Sequence, residues 1–199
     1  ENIYAFSTRI SLTVALPVCC VLIAGGPTLL RAIGSGMEGA LFALALLLLA
    51  RLAETVSGAA APIQQVMSRY SSQYIGSAAG LAVSVLIGLA VMPEGGLTGM
   101  SLAVALGLVA TSAIPAWQVY QQHGLLPFGQ PFAQVALRAM IVSLAGFLAA
   151  LWVNLLPMGL ALMLICGVLV ATLWTACRWA LPLPDREALG SVAVRMRLI

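Results

Sequence analysis

The sequence predicts an all-α integral membrane protein, a bundle of six transmembrane helices. Hydrophobic residues make up 62% of the 199 and charged residues only 8%, whereas about a quarter of the residues in a soluble domain are charged. The mean hydropathy is +1.07. Apolar stretches of roughly 20 residues, the length that crosses the hydrocarbon of a bilayer, recur along the chain. Lipid is therefore the expected surrounding of most of this surface.

Six stretches have the length of a membrane-spanning helix, and each is bounded by Pro, Gly or charged residues, which commonly end helices. The six predicted helices cover residues 9–30, 39–61, 74–92, 97–120, 132–153 and 157–181. The runs are too long for strands and do not alternate, and they are rich in Leu and Ala. We expect the first helix to bend at Pro17 and to loosen at Gly25-Gly26-Pro27. Residues 1–181 then form a transmembrane lobe, and residues 182–199 a C-terminal tail.

The nine arginines predict the orientation, because cytoplasmic segments carry an excess of positive charge. If the first helix starts in the cytoplasm, one side of the membrane collects Arg9, Arg69, Arg138, Arg178, Arg186, Arg195 and Arg197. The opposite side holds Arg31 together with Glu38 and Glu94. Both ends are therefore expected in the cytoplasm, with the tail along the membrane surface. The chain opens at Glu1 without an initiator methionine, and we expect a preceding part with an even number of further spans.

Composition and motifs argue against several classes of function. The net charge of +3 is scattered, without the basic face of a nucleic-acid-binding protein. No HExxH, GxSxG, P-loop or paired-carboxylate pattern occurs, so an enzyme is not expected. The four cysteines lie in apolar stretches without a CxxC pair, and a single His does not supply a zinc site. We expect reduced thiols, and no metal or cofactor apart from a possible coupling ion.

Arg51 and Glu54 are the strongest candidates for a functional site, because they follow an unbroken apolar run from Ala40 to Ala50. An uncompensated charge in the middle of a span costs about 2.5–3.5 kcal/mol on insertion scales. The spacing of three residues places both side chains on one helix face, where they can pair. Two interpretations stay open. The pair lines a central cavity, where Arg51 meets an anionic group of a substrate, or it neutralises itself and only fixes helix packing.

Three further arginines lie in or beside the predicted helices. Arg138 is about two turns into the fifth helix, where its long side chain either reaches back to the cytoplasmic interface or faces a cavity. Arg9 is interpreted as an interfacial anchor. Arg31 follows the Gly-Gly-Pro break and contacts either lipid headgroups or the mouth of a cavity. Asn154 lies at the end of a span, where polar residues are ordinary.

Two other patterns concern packing and the membrane interface. Gly76 and Gly80 form a GxxxG motif, which permits close approach of two helices. Aromatic residues near the span ends predict an aromatic belt at the headgroup level. Its members are Tyr74, Trp117, Tyr120, Trp152, Trp174 and Trp179.

The order of these features resembles the C-terminal half of the polysaccharide-biosynthesis membrane proteins. These are the lipid-linked oligosaccharide flippases of the multidrug/oligosaccharidyl-lipid/polysaccharide exporter superfamily. The resemblance covers roughly residues 12–126, whereas the last two helices match in length and placement. One matching stretch has Leu16-Pro17 inside a helix, followed by Gly26-Pro27, an apolar turn to Gly34, and Gly39-Ala40. The second opens the fourth predicted helix with Pro93, Gly96, Gly99 and Ala103.

The resemblance implies a transporter of about fourteen spans, of which this chain is the C-terminal lobe and a missing N-terminal half is the partner. It implies movement of an undecaprenyl-diphosphate-linked oligosaccharide across the bacterial inner membrane, by alternating access, for cell-surface polysaccharide synthesis. Cationic residues of a central cavity would hold the diphosphate. Arg51 matches best, with Arg138 and Arg31 behind it.

An alternative is a multidrug or small-solute exporter of the same superfamily, in which Glu54 binds the coupling ion, Na⁺ or H⁺. A transferase acting on polyprenyl phosphates would need an acidic metal-binding cluster. Glu38, Glu94 and the Asp185-Arg-Glu187 segment do not form one in the sequence.

Overall fold

The computed structural model describes residues 2–34, 36–57, 70–123 and 132–188, and within these ranges every regular element is a helix. The prediction of an all-α chain is therefore confirmed for the described residues. The elements are α1 (Asn2–Ala24), α2 (Gly26–Ile33), a short 3₁₀ helix (Met37–Ala40), α3 (Leu41–Ser57), α4 (Tyr70–His123), α5 (Phe132–Val153), α6 (Met158–Trp179) and α7 (Leu183–Ala188).

Four of the described helical segments are long and apolar enough to cross a membrane. They are Tyr4–Ala24, Tyr74–Gln121, Phe132–Val153 and Met158–Trp179. The predicted helices 74–92 and 97–120 both fall inside the second of these segments, which is 48 residues long. Helix α3 covers residues 41–57 of the predicted span 39–61. Residues 39–40 belong to the preceding 3₁₀ helix, and residues 58–61 lie outside the described residues. The count of six spans stays a prediction.

The chain divides into two compact units. The first consists of Glu1–Thr8 and Gly39–Pro127, and the second of Arg9–Glu38 and Phe128–Ile199. The first unit therefore contains α3 and α4. The second contains the larger part of α1 together with α2, α5, α6 and α7.

Helix α4 folds back on itself at Gly96, whose φ of 51° lies in the left-handed region that favours glycine. The two arms, residues 70–95 and 97–123, run antiparallel. A Cβ atom at Gly80 would collide with the hydroxyl of Thr111, and one at Gly88 would lie 3.7 Å from the Cβ of Ala103. The absence of a side chain at Gly80 therefore brings the two arms together. The GxxxG pattern marks a close contact between these arms, as its spacing predicts.

Helix α3 packs against α4 in the first unit. It buries Ala43 and Ala50, which are seven residues apart and so lie on the same face. Phe42 and Leu49 are also seven residues apart and are exposed. The helix thus has a packed face of small residues and an exposed apolar flank.

The second unit has a core formed by α1, α5 and α6. Val21 and Ala24 of α1 pack there with Ala150 of α5 and Ile165 of α6. Helix α1 ends at Ala24, and α2 begins at Gly26 with Pro27 in its first turn, where its missing N–H costs no helical hydrogen bond. The predicted first helix, 9–30, is therefore divided at Gly25, inside the Gly-Gly-Pro segment where loosening is expected.

Candidate functional site

Arg51 and Glu54 form an ion pair on α3. The Nη1 atom of Arg51 donates a hydrogen bond of 2.7 Å to Oε2 of Glu54. Arg51 lies ten residues after Leu41, which is about 15 Å along the axis at 1.5 Å per residue. That distance is about half of the ~30 Å hydrocarbon thickness of a bilayer. The sequence-predicted pair therefore exists in the second half of α3.

The Arg51–Glu54 pair is open. The side chains of Arg51 and Glu54 are 62% and 35% exposed. Glu54 engages one of the five N–H donors of the guanidinium, and the guanidinium makes no further hydrogen bond to a described residue. Most of its N–H donors are therefore available to a group that lies beside α3.

The position of Arg51 around α3 separates it from the exposed apolar flank. Phe42 precedes Arg51 by nine residues, which at about 100° per residue places it on the opposite side of the helix. Leu49 lies about 160° away by the same reckoning. Since Phe42 and Leu49 are the exposed apolar side chains expected to meet lipid, Arg51 faces elsewhere.

Arg31 and Arg138, the other two sequence-predicted cations, belong to the second unit. Both are exposed. Arg31 lies in the last turn of α2, beyond the end of α1. Arg138 lies near the start of α5, sixteen residues before Asn154, which corresponds to about 24 Å along the helix axis. Asn154 contacts the end of α1. The two arginines therefore lie toward opposite ends of their unit and do not form one cation cluster.

Arg9 lies in a buried ion pair, which the sequence interpretation as an interfacial anchor did not include. Its Nε and Nη2 atoms donate hydrogen bonds of 2.7 and 2.8 Å to the two carboxylate oxygens of Asp185, and both residues are buried. This pair, called here the clasp, joins the first turns of α1 to α7 across 176 residues of sequence. Arg186 adds a hydrogen bond of 2.9 Å from its Nε to the carbonyl oxygen of Leu181. Residues 183–188 of the predicted tail are therefore a docked helix, whereas residues 189–199 lie outside the described residues.

Asn154 has a more specific role than a polar residue at a span end. Its Nδ2 atom donates to the carbonyl oxygen of Ala24 at 2.6 Å, and its Oδ1 accepts from the hydroxyl of Thr28 at 2.6 Å. Ala24 is the last residue of α1, so its carbonyl has no partner further along that helix. Asn154 thus donates a hydrogen bond to the last carbonyl group of α1, and its second hydrogen bond, to Thr28, connects α2 to the same side chain.

Sequence reasoning missed the clasp because nothing local links residues 9 and 185. One signal was present. A buried arginine near the start of a span needs a counter-charge, and Asp185 and Glu187 are the acids placed on the same predicted side within the segment after the last span. Asn154 carries no comparable signal, since amides at span ends are common.

The chemistry available at Arg51 is anion binding. A guanidinium keeps its charge when poorly solvated and presents a planar fork that fits phosphate oxygens. No group of three His, Cys, Asp or Glu residues within the described ranges is arranged as metal ligands. All four cysteines lie in these ranges, and none of them forms a disulfide.

Comparison with known proteins adds no family. No protein-family model, no curated protein and no solved structure matches the chain. The described residues thus form helices, several of them apolar and long enough to cross a membrane, and an exposed arginine–glutamate pair lies in the second half of α3.

Proposed function

We propose that this chain is a membrane-embedded lobe of a transporter. Its proposed substrate is a polyprenyl-diphosphate-linked oligosaccharide, moved from the inner to the outer leaflet of the bacterial inner membrane by alternating access, for cell-surface polysaccharide synthesis. The supporting observation is the open Arg51–Glu54 pair on a helix that carries no other charged residue. The motif resemblance described above selects the substrate class.

The diphosphate of such a substrate is the group that Arg51 fits. A diphosphate entering the bilayer must exchange its hydration for fixed hydrogen-bond donors. The unused N–H groups of Arg51 supply these donors on a flank that faces away from Phe42 and Leu49. Glu54 neutralises the guanidinium while the site is empty, which lowers the cost of keeping a charge at that depth.

The proposal also covers the orientation of the chain, the second lobe and the two other arginines. Six spans place both ends of the chain in the cytoplasm, and a second lobe supplies the other wall of the cavity. Arg138 and Arg31 are, in this proposal, further cations that contact the substrate, and within the second unit they lie toward opposite ends. Movement of the substrate needs no catalytic group.

The test is complementation of a bacterial strain that lacks its oligosaccharide flippase, with variants expressed from the complete gene. Arg51→Gln removes the charge and most of the donor fork. Since a hydrogen bond to a charged group contributes about 1.5–3 kcal/mol, surface polysaccharide should fall about 10- to 100-fold. Arg51→Lys, which keeps the charge without the planar fork, should retain part of the activity. Wild-type surface polysaccharide from Arg51→Gln, at equal protein level, would contradict the proposal.

Glu54→Gln is the matched variant, because it nearly preserves the volume and leaves Arg51 charged. In the flippase proposal it keeps most of the transport. The alternative, a cation-coupled exporter, is favoured by the partly exposed Glu54 carboxylate, of which only Oε2 is bonded to a described residue. Loss of transport in Glu54→Gln together with retention in Arg51→Gln would select that alternative.

A further inference from the structure

The helical hydrogen bonds of α1 are interrupted before α2 begins. The N–H of Gly25 bonds back to the carbonyl oxygen of Val21 at 2.8 Å, and the next such bond runs from the N–H of Leu29 to the carbonyl oxygen of Gly25 at 3.0 Å. The carbonyls of residues 22–24 lie between these two bonds, and among the described residues none of the three accepts an α-helical hydrogen bond. For the middle one the reason is covalent, because the fourth residue on is Pro27, which has no N–H.

Gly25 is the point about which α2 can turn relative to α1. Its N–H is bonded into α1 and its carbonyl into α2, so rotation about its own φ and ψ angles leaves both bonds intact. Gly25 also packs closely on α6, since a Cβ atom added there would lie 3.1 Å from Cδ1 of Ile165. A residue without a side chain is therefore both the joint and the contact with α6.

Helix α2 is short and has few buried side chains. A helix of eight residues has little stability of its own. Three of the eight are buried, and Leu30 is the one large apolar side chain among them. The last three residues of α2 are exposed. The position of α2 therefore depends on a small number of contacts.

Asn154 bonds to both sides of the interruption. Its Nδ2 atom donates to the carbonyl oxygen of Ala24, at the end of α1, and its Oδ1 accepts from the hydroxyl of Thr28 on α2, both at 2.6 Å. Thr13 of α1, by contrast, donates to the carbonyl oxygen of Arg9 within its own helix, as helical threonines commonly do. The Thr28 hydroxyl thus connects α2 to the end of α5.

We infer that α2 is a hinged segment, which turns about Gly25 and is held closed by the Thr28–Asn154 hydrogen bond, called here the latch. Opening breaks the latch and uncovers Leu30. It breaks no helical hydrogen bond between α1 and α2, because those of residues 22–24 are already missing. The chain passes from the second unit to the first through α2, so the hinge lies in the covalent connection between the two units. The inference does not depend on the proposed transport function.

The experiment measures how fast a maleimide modifies a thiol placed at position 30 of the complete protein in nanodiscs. In Leu30→Cys the thiol is covered while α2 is closed, so the rate of modification follows the open fraction. Mass spectrometry reads the modification at that position, and the native cysteines stay in place. Thr28→Val, added to Leu30→Cys, removes the latch and should raise the rate about threefold, the contribution of one hydrogen bond between membrane helices. Thr13→Val is the matched control and should leave the rate unchanged, since that hydroxyl bonds within α1.

Pro27→Ala, in the same Leu30→Cys background, tests the hinge itself. It supplies the N–H that the carbonyl of residue 23 lacks, so one helical hydrogen bond can form across the interruption. The rate at position 30 should fall about two- to tenfold. An unchanged rate in Thr28→Val would overturn the latch. An unchanged or faster rate in Pro27→Ala would overturn the hinge.

Two further positions separate movement of α2 from unfolding of the second unit. Val21 is fully buried in the core of that unit, and Ile33 is 71% exposed at the end of α2. The thiol of Val21→Cys should be modified far more slowly than that of Leu30→Cys, and that of Ile33→Cys rapidly in every variant. Equal rates for Val21→Cys and Leu30→Cys would show that the whole unit opens at once and would overturn the inference.

Discussion

Arg9 and Arg51 each hold a carboxylate oxygen at 2.7 Å, one in each unit of the chain. Arg9 engages both oxygens of Asp185 through two N–H groups, and both side chains are buried. Arg51 engages one oxygen of Glu54 through one N–H group, and the guanidinium is largely exposed. The partner of Arg9 is 176 residues away, whereas the partner of Arg51 is three residues away.

The Arg9–Asp185 pair therefore stabilises the fold, whereas the Arg51–Glu54 pair has donors that can bind a ligand. A buried, doubly bonded pair is costly to break, because removal of one partner leaves an uncompensated charge. Its donors are also occupied. An exposed pair contributes about 0–1 kcal/mol to stability and keeps donors available. We therefore assign the clasp to the stability of the second unit, and we propose substrate binding for the Arg51–Glu54 pair.

The largest expected effect is that of Asp185→Asn. It leaves the buried Arg9 without a counter-charge and should lower the free energy of unfolding by about 3–5 kcal/mol. Glu54→Gln makes the same chemical change at the open pair and should cost at most about 1 kcal/mol. The measurement is equilibrium unfolding of the purified protein in mixed micelles. Equal costs for the two variants would remove the distinction between the pairs.

Gly80→Ala is expected to have the next largest effect, and it tests what holds the first unit together. The new Cβ would collide with the hydroxyl of Thr111 and lie 2.7 Å from the carbonyl oxygen of Gly107, so the arms of α4 must move apart. Overpacking of this kind costs about 1–3 kcal/mol. In Gly88→Ala, by contrast, the nearest atom is 3.7 Å away, and the variant should be neutral or stabilising.

Both variants of α4 are compared by unfolding in the same micelles. A stable Gly80→Ala protein with wild-type unfolding would show that the arms do not depend on this close approach. The first unit would then need another source of stability, since its open ion pair supplies little.

A smaller effect is expected at the other end of α1 from the clasp. Asn154→Leu removes the bonds to the carbonyl of Ala24 and to the hydroxyl of Thr28. Polar bonds between helices in membrane proteins contribute about 0.6 kcal/mol each, so the loss should be about 1 kcal/mol. Thr28→Val removes one of the two bonds and should cost about half as much. If Asn154→Leu lowered the free energy of unfolding as much as Asp185→Asn, the clasp would not be the main polar contribution to the stability of the second unit.

The parts of this structure that could be predicted from the sequence are local ones. The helical character follows from composition and run length, and the Arg51–Glu54 pair follows from a spacing of three residues on one helix. The break at Gly25 and the reversal at Gly96 follow from glycine and proline chemistry. Each of these depends on residues close together along the chain.

The clasp could not be predicted in the same way, because its two residues meet only when α1 and α7 have packed. The Pro-Leu-Pro-Asp-Arg-Glu segment reads locally as a solvated tail, and its helix is only six residues long. Asn154 is similar. Its amide gains a role from the end of α1, which lies 130 residues away in the sequence.

The proposal that Arg51 binds the substrate is tested most directly by exchanging the two residues of the Arg51–Glu54 pair. The Arg51→Glu, Glu54→Arg double variant keeps both charges and their spacing, while it moves the guanidinium from the flank opposite Phe42 to the position of Glu54. Its stability should stay within about 1 kcal/mol of wild type, whereas complementation of the flippase-deficient strain should fall at least about tenfold, for loss of one charge-assisted phosphate contact. Normal stability with lost transport is the predicted result. Wild-type transport by the reversed pair would contradict the account, because the two residues would then serve only each other.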